Sequence, residues 1–118
     1  DTFHYNAHST ASDALWAGLP VVTLMGQGFP ARVAASLLNA IGLPELITQS
    51  AEDYERLALE LARDPEKLSA LKTKLARLKS TAPLFDTERF TRNLEDAYAQ
   101  AYQHYFEGNA PVDIHLKD

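Results

Sequence analysis

Residues 8–26 read HSTASDALWAGLPVVTLMG, and the fold turns on this stretch. Thr10 and Asp13 have the [ST]-x-x-[DE] spacing of a helix start, just ahead of Ala14, Leu15, Trp16 and Ala17. Gly18 and Pro20 end that helix early. Val21 to Met25 is then an apolar, largely β-branched run of strand length that stops at Gly26. A run without polar alternation suits a strand covered on both faces, as in a parallel sheet.

Outward from this stretch the alternation continues. Gly26 to Pro30 reads as a loop. Residues 31–40 read as a helix, with Ala34, Leu37, Leu38 and Ile41 on one face and Gly42 as its stop. Leu46, Ile47 and Thr48 read as a short strand. Helix, strand, helix, strand implies an α/β sheet with right-handed crossovers.

Beyond residue 50 the pattern is helical only. Ser50 with Asp53 is a second capping box, and Tyr54, Leu57, Ala58 and Leu61 form an apolar face. Asp64-Pro65 starts the next helix, in which Leu68, Leu71, Leu75 and Leu78 form one stripe. Residues 80–84 are a break. Asp86 caps a last helix with Phe90, Leu94, Ala97, Tyr98, Ala101 and Tyr105 on one side, Gly108 to Pro111 stop it, and the tail from there to Asp118 is expected to be extended. Residues 1–49 therefore read as the end of a Rossmann-like lobe, and residues 50–118 as helices packed on that same lobe. Two short strands are too few to cover these helices, since a two-stranded sheet alone is marginal. The expectation is a C-terminal piece of a larger α/β domain, with its first strands upstream of Asp1.

Composition narrows the function. A net charge of −5 argues against non-specific nucleic-acid binding. The absence of cysteine removes disulfides, thiolate metal sites and a cysteine nucleophile, and fits a cytoplasmic location. No apolar run approaches the roughly 18 residues of a membrane span, and no signal peptide is visible. The four histidines are not spaced as a metal site.

Two readings fit the opening cluster. In the first, Thr10 and Asp13 are simply a capping box. In the second, the helix start binds a nucleoside diphosphate. Unpaired backbone N–H groups and the positive end of the helix dipole attract phosphate there. Ser9 and Thr10 add hydroxyl donors, and His8 adds an imidazole. Asp13, one turn further on, would repel phosphate but suits a neutral diol such as a ribose.

The stretches His8-Ser9-Thr10 with Asp13, Leu15-Trp16-Ala17-Gly18-x-Pro20, residues 32–36 (RVAAS) and Pro83-Leu84-Phe85 together resemble the C-terminal lobe of the O-linked N-acetylglucosamine transferases. These are nucleocytoplasmic protein glycosyltransferases, often with tetratricopeptide repeats before the catalytic region. The resemblance covers nearly the whole chain. It implies a GT-B fold that binds UDP-GlcNAc, with His8, Ser9 and Thr10 at the diphosphate and Asp13 at the ribose. The family usually has two threonines where this chain has Ser9-Thr10, which keeps the hydroxyls. The implied reaction is inverting transfer of N-acetylglucosamine to Ser or Thr hydroxyls of a protein acceptor, with no metal or other cofactor required. No catalytic residue falls in this stretch: the candidate bases, the uracil contacts and a diphosphate-binding lysine would lie upstream, so the chain alone is expected not to transfer sugar. The alternatives are another GT-B UDP-sugar enzyme or a non-catalytic helical interaction module. Gly26 and Gly28 read as a turn, Arg32 as solvent-facing or structural, Trp16 as core, and the lysines and arginine between Lys67 and Lys79 as the solvated face of their helix.

Overall fold

The computed structural model describes residues 1–116 and divides them into two compact units, Asp1–Phe85 and the segment that starts at Asp86. The first unit holds α1 (Ser9–Trp16), β1 (Thr23–Leu24), α2 (Val33–Ile41), β2 (Ile47–Thr48), α3 (Ala51–Arg63) and α4 (Pro65–Leu78). Short 3₁₀ turns occupy Phe29–Ala31, Pro44–Leu46 and Pro83–Phe85. The second unit holds α5 (Thr87–Phe106) and the chain after it. The class is α/β and helix-rich, as expected.

The sheet is two parallel strands, with Thr23 opposite Ile47 and Leu24 opposite Thr48. It is shorter than the apolar run suggested. Met25 N–H still reaches the Thr48 carbonyl at 2.9 Å, but Val21 and Val22 pack on the core without joining the ladder. Thr23 and Thr48 are buried polar residues whose hydroxyls are both used. Thr48 donates to the Thr23 carbonyl across the sheet at 2.8 Å, and Thr23 donates to Asp1.

Most helix boundaries follow local chemistry. At the end of α1 the Gly18 N–H reaches the Leu15 carbonyl and the Leu19 N–H reaches Ala14. Gly42 and Leu43 bond back to Asn39 and Leu38 in the same way after α2. Gly18 and Gly42 have φ of +86° and +83°, which a residue with a Cβ adopts only with strain. Ser50, Asp64 and Asp86 each accept a backbone N–H three residues on, capping α3, α4 and α5. The helix expected from residue 31 starts at Val33 instead, because the Phe29–Ala31 turn takes up its first residues.

The core lies where α1, α2, α3 and α4 meet. Leu15, Leu38, Ile41, Leu43, Leu46 and Leu75 are fully enclosed, with Leu61 and Leu71 beside them. The leucine stripe of α4 thus faces inward through Leu71 and Leu75. Trp16 does not join this core. It is 59% exposed and rests edge-on against Phe85 at 5.1 Å. The buried stripe of α1 is Ala11 and Leu15, four apart, and Trp16 lies about 100° round the helix from Leu15. Lys79 instead lies over the indole at 5.2 Å and donates its ammonium to the Trp16 carbonyl. A cation at a helix C-terminus is favourably placed there.

Candidate functional site

The segment in front of α1 is held by side chains rather than by a ladder. Asp1 Oδ1 accepts from the Thr2 and Ala7 N–H groups at 2.8 and 2.6 Å, and Oδ2 accepts from Thr23 Oγ1 at 2.5 Å. Thr2 Oγ1 donates to the Tyr5 carbonyl at 2.6 Å. Asn6 is 1% exposed, and its Nδ2 donates to the carbonyls of Thr2 (3.1 Å) and Leu24 (3.5 Å). Its backbone N–H donates to the Pro30 carbonyl at 3.0 Å. Within this segment His4 has φ +67° and the Tyr5 N–H returns to the Phe3 carbonyl at 2.8 Å. That three-residue turn of positive φ is a strained conformation for a non-glycine residue.

These ties aim His8. Its Nε2 lies 3.1 Å from the same Pro30 carbonyl. A carbonyl only accepts, so this nitrogen carries the hydrogen; the tautomer is assigned from the partner. Tyr5 stacks on the ring at 4.7 Å and Phe29 meets it edge-on at 6.2 Å. With Nε2 committed to that carbonyl, Nδ1 is the ring nitrogen left for a further partner.

The mouth of α1 is bare. His8 is the N-cap residue and makes no side-chain cap. The first backbone bond of the helix runs from Ser12 N–H to the His8 carbonyl. Among the described residues, the N–H groups of Ser9, Thr10 and Ala11 and the hydroxyls of Ser9 and Thr10 have no hydrogen-bond partner. The Thr10–Asp13 capping box does not form. The helix starts one residue before Thr10, and the Asp13 carboxylate makes no bond back to it. Ser9, Thr10 and Asp13 are all exposed. The sequence cluster is thus brought together as three backbone donors, two hydroxyls, an oriented imidazole and a carboxylate one turn on. Such a set can take an anion at the mouth and a diol at Asp13.

The remaining candidates separate from it. Gly26 and Gly28 form a tight turn: Gly26 N–H bonds the Ala31 carbonyl, and a Cβ at Gly26 would lie 2.6 Å from that of Ala31. Arg32 is exposed at the N-cap of α2. His104 and His115 belong to the second unit, where His104 Nε2 bonds the Ala110 carbonyl at 2.6 Å. Among the described residues, no group of three or more His, Asp or Glu is placed to hold a metal ion. No helix among them is long and apolar enough to cross a membrane. Sequence reading missed Asn6, Tyr5 and Pro30. Asn6 reads only as a turn residue ahead of a helix. The part of Pro30 that matters is a backbone carbonyl, which no side-chain pattern reveals.

The model of glycosyl transferase family 41 matches residues 1–94. A rice (Oryza sativa subsp. japonica) protein named "Probable UDP-N-acetylglucosamine--peptide N-acetylglucosaminyltransferase SPINDLY" is 40% identical over 112 residues, 95% of this chain and 12% of its own length. The UDP-N-acetylglucosamine–peptide N-acetylglucosaminyltransferase of Caenorhabditis elegans is 34% identical over 113 residues, 96% of this chain and 10% of its own. The chain therefore spans about an eighth of the curated relatives it matches. Among solved structures, a point mutant of the Thermobaculum terrenum O-GlcNAc transferase superposes with a TM-score of 0.79 at 41% identity, over 85% of this chain and 19% of that one. On sequence and fold together, this chain belongs to glycosyl transferase family 41.

Proposed function

We propose that this chain supplies the diphosphate- and ribose-binding face of a UDP-sugar site in a protein O-GlcNAc transferase. The observation that carries the reading is the bare mouth of α1, with its backbone donors and hydroxyls uncommitted and Asp13 unpartnered one turn on. Ser9 and Thr10 donate to the diphosphate through backbone and hydroxyl. His8, its Nε2 held on the Pro30 carbonyl, turns its remaining ring nitrogen Nδ1 to the diphosphate. Asp13 accepts from the ribose hydroxyls. The relatives' names supply the sugar, N-acetylglucosamine, and the acceptor, a peptide.

In the reaction, inverting transfer to a Ser or Thr hydroxyl, the departing UDP accumulates negative charge. Fixed N–H dipoles and hydroxyl donors at the mouth stabilise that charge without reorganising. No residue of this chain is assigned the role of base, which falls to the rest of the catalytic region. A −5 chain still accepts a diphosphate here because the local field, not the net charge, acts at contact distance.

The test is Thr10→Val in the natural polypeptide that carries these residues, titrated with UDP and with uridine. Removing one hydroxyl that donates to a charged group is expected to weaken UDP binding about tenfold, equivalent to ~1.4 kcal/mol. Uridine affinity is expected to change less than twofold. Equal loss for both ligands would remove Thr10 from the diphosphate.

A further inference from the structure

We propose that Asn6 is a positioning residue for the donor site: its buried carboxamide ties the segment before α1 to the end of β1, and through the Pro30 carbonyl that its backbone shares with His8 it fixes the direction and tautomer of the imidazole. The inference rests on the donor site lying at the mouth of α1.

Three observations converge on this residue. First, Asn6 joins three separate pieces of chain. Its Nδ2 holds Thr2 and Leu24, and its N–H holds Pro30 in the Phe29–Ala31 turn. Second, two donors meet on one carbonyl. The Asn6 N–H at 3.0 Å and His8 Nε2 at 3.1 Å both point at Pro30 O, so a shift of Asn6 moves the acceptor that pins the ring. Third, the arrangement is unfavourable on its own terms. Asn6 Oδ1 is buried and has no hydrogen-bond partner, and His4, two residues earlier, sits at φ +67°. A buried acceptor without a donor and a strained backbone both disfavour this local structure. An apolar residue at position 6 would leave no orphaned acceptor, but it would release Thr2 and Leu24. Asn6 fits a residue that fixes geometry rather than one that adds stability.

The geometry also says which ligand atoms feel Asn6. The ties act on residues 1–8 and on the Phe29–Ala31 turn, which frame the start of α1. Asp13 lies within the helix body, whose Leu15 is anchored in the core. Loss of Asn6 therefore disturbs the diphosphate end of the site and leaves the ribose end in place.

Asn6→Ala and Asn6→Asp, made in the natural polypeptide, test this with three readouts: UDP affinity, uridine affinity and Tm. The aspartate keeps the shape but turns the two carbonyl-facing donors into acceptors. The expected result is at least a tenfold loss of UDP affinity with uridine affinity within twofold, in either variant that remains folded at the assay temperature. Parallel loss of both ligands in step with Tm, an unchanged UDP-to-uridine ratio, or failure of both variants to fold at 10 °C would each overturn the proposal and make Asn6 purely structural. Asp13→Ala is the control for the underlying reading. If it leaves UDP and uridine affinities untouched, the site itself is misplaced, independently of Asn6.

Discussion

Asp13→Ala is expected to weaken UDP binding about a hundredfold and uridine binding by a similar factor, with little change in Tm. The carboxylate is exposed and makes no hydrogen bond or ion pair among the described residues, so its removal leaves nothing unpaired in the protein. With ribose bound it accepts from two neutral hydroxyls. Hydrogen bonds to a charged group are worth about 1.5–3 kcal/mol each, and a hundredfold loss corresponds to ~2.7 kcal/mol, within what two such bonds supply. The stability change is small, because an acidic residue near a helix N-terminus contributes only about 0.3–1 kcal/mol. The sign for pyrophosphate is opposite. Removing a negative charge beside the phosphate site removes a repulsion, so pyrophosphate affinity should hold or rise. Competition calorimetry with UDP, uridine and pyrophosphate reads all three. A fall for pyrophosphate as well would place Asp13 in a different role.

Leu75→Ala is expected to destabilise the first unit by about 3 kcal/mol, within the ~2–5 kcal/mol range of Leu→Ala changes in packed cores. Leu75 is 0% exposed and sits with Leu38, Ile41, Leu43 and Leu46 at the centre of the cluster. Those neighbours are themselves fully enclosed, so they have little freedom to collapse into the cavity. Leu68→Ala, two stripe positions earlier and only half-buried, should cost much less. Urea unfolding of the two variants separates them. Equal midpoints would mean that the stripe does not point into the core as described.

Much of this fold is legible in the sequence because its punctuation is local. Gly18 and Gly42 end helices through bonds that involve only the last turn, and Ser50, Asp64 and Asp86 start them through bonds three residues long. Such features depend on neighbours in the chain and can be read there. The strands are less legible, because ladder length depends on a distant partner. Val21 to Met25 has the character of a five-residue strand, yet Ile47–Thr48 pairs with only two of its residues. Trp16 illustrates the same limit: its hydrophobicity suggested core, but its angle round α1 sets it beside Phe85 and Lys79.

The site divides along that line too. His8, Ser9, Thr10 and Asp13 stand close in sequence, so one helix start brings them together. The missing capping box was not legible. The spacing [ST]-x-x-[DE] is present, but the helix begins at Ser9 and the spacing falls out of register with it. What orients His8 comes from Asn6 and from the Pro30 carbonyl 22 residues away.

The central claim, that the mouth of α1 holds the UDP of a sugar donor, is tested most directly by a crystal structure of the natural polypeptide with UDP. The predicted result has diphosphate oxygens at about 2.7–3.2 Å from the backbone nitrogens and hydroxyls of Ser9 and Thr10, and ribose hydroxyls on the Asp13 carboxylate. UDP seated elsewhere, with those donors and Asp13 untouched, would contradict it.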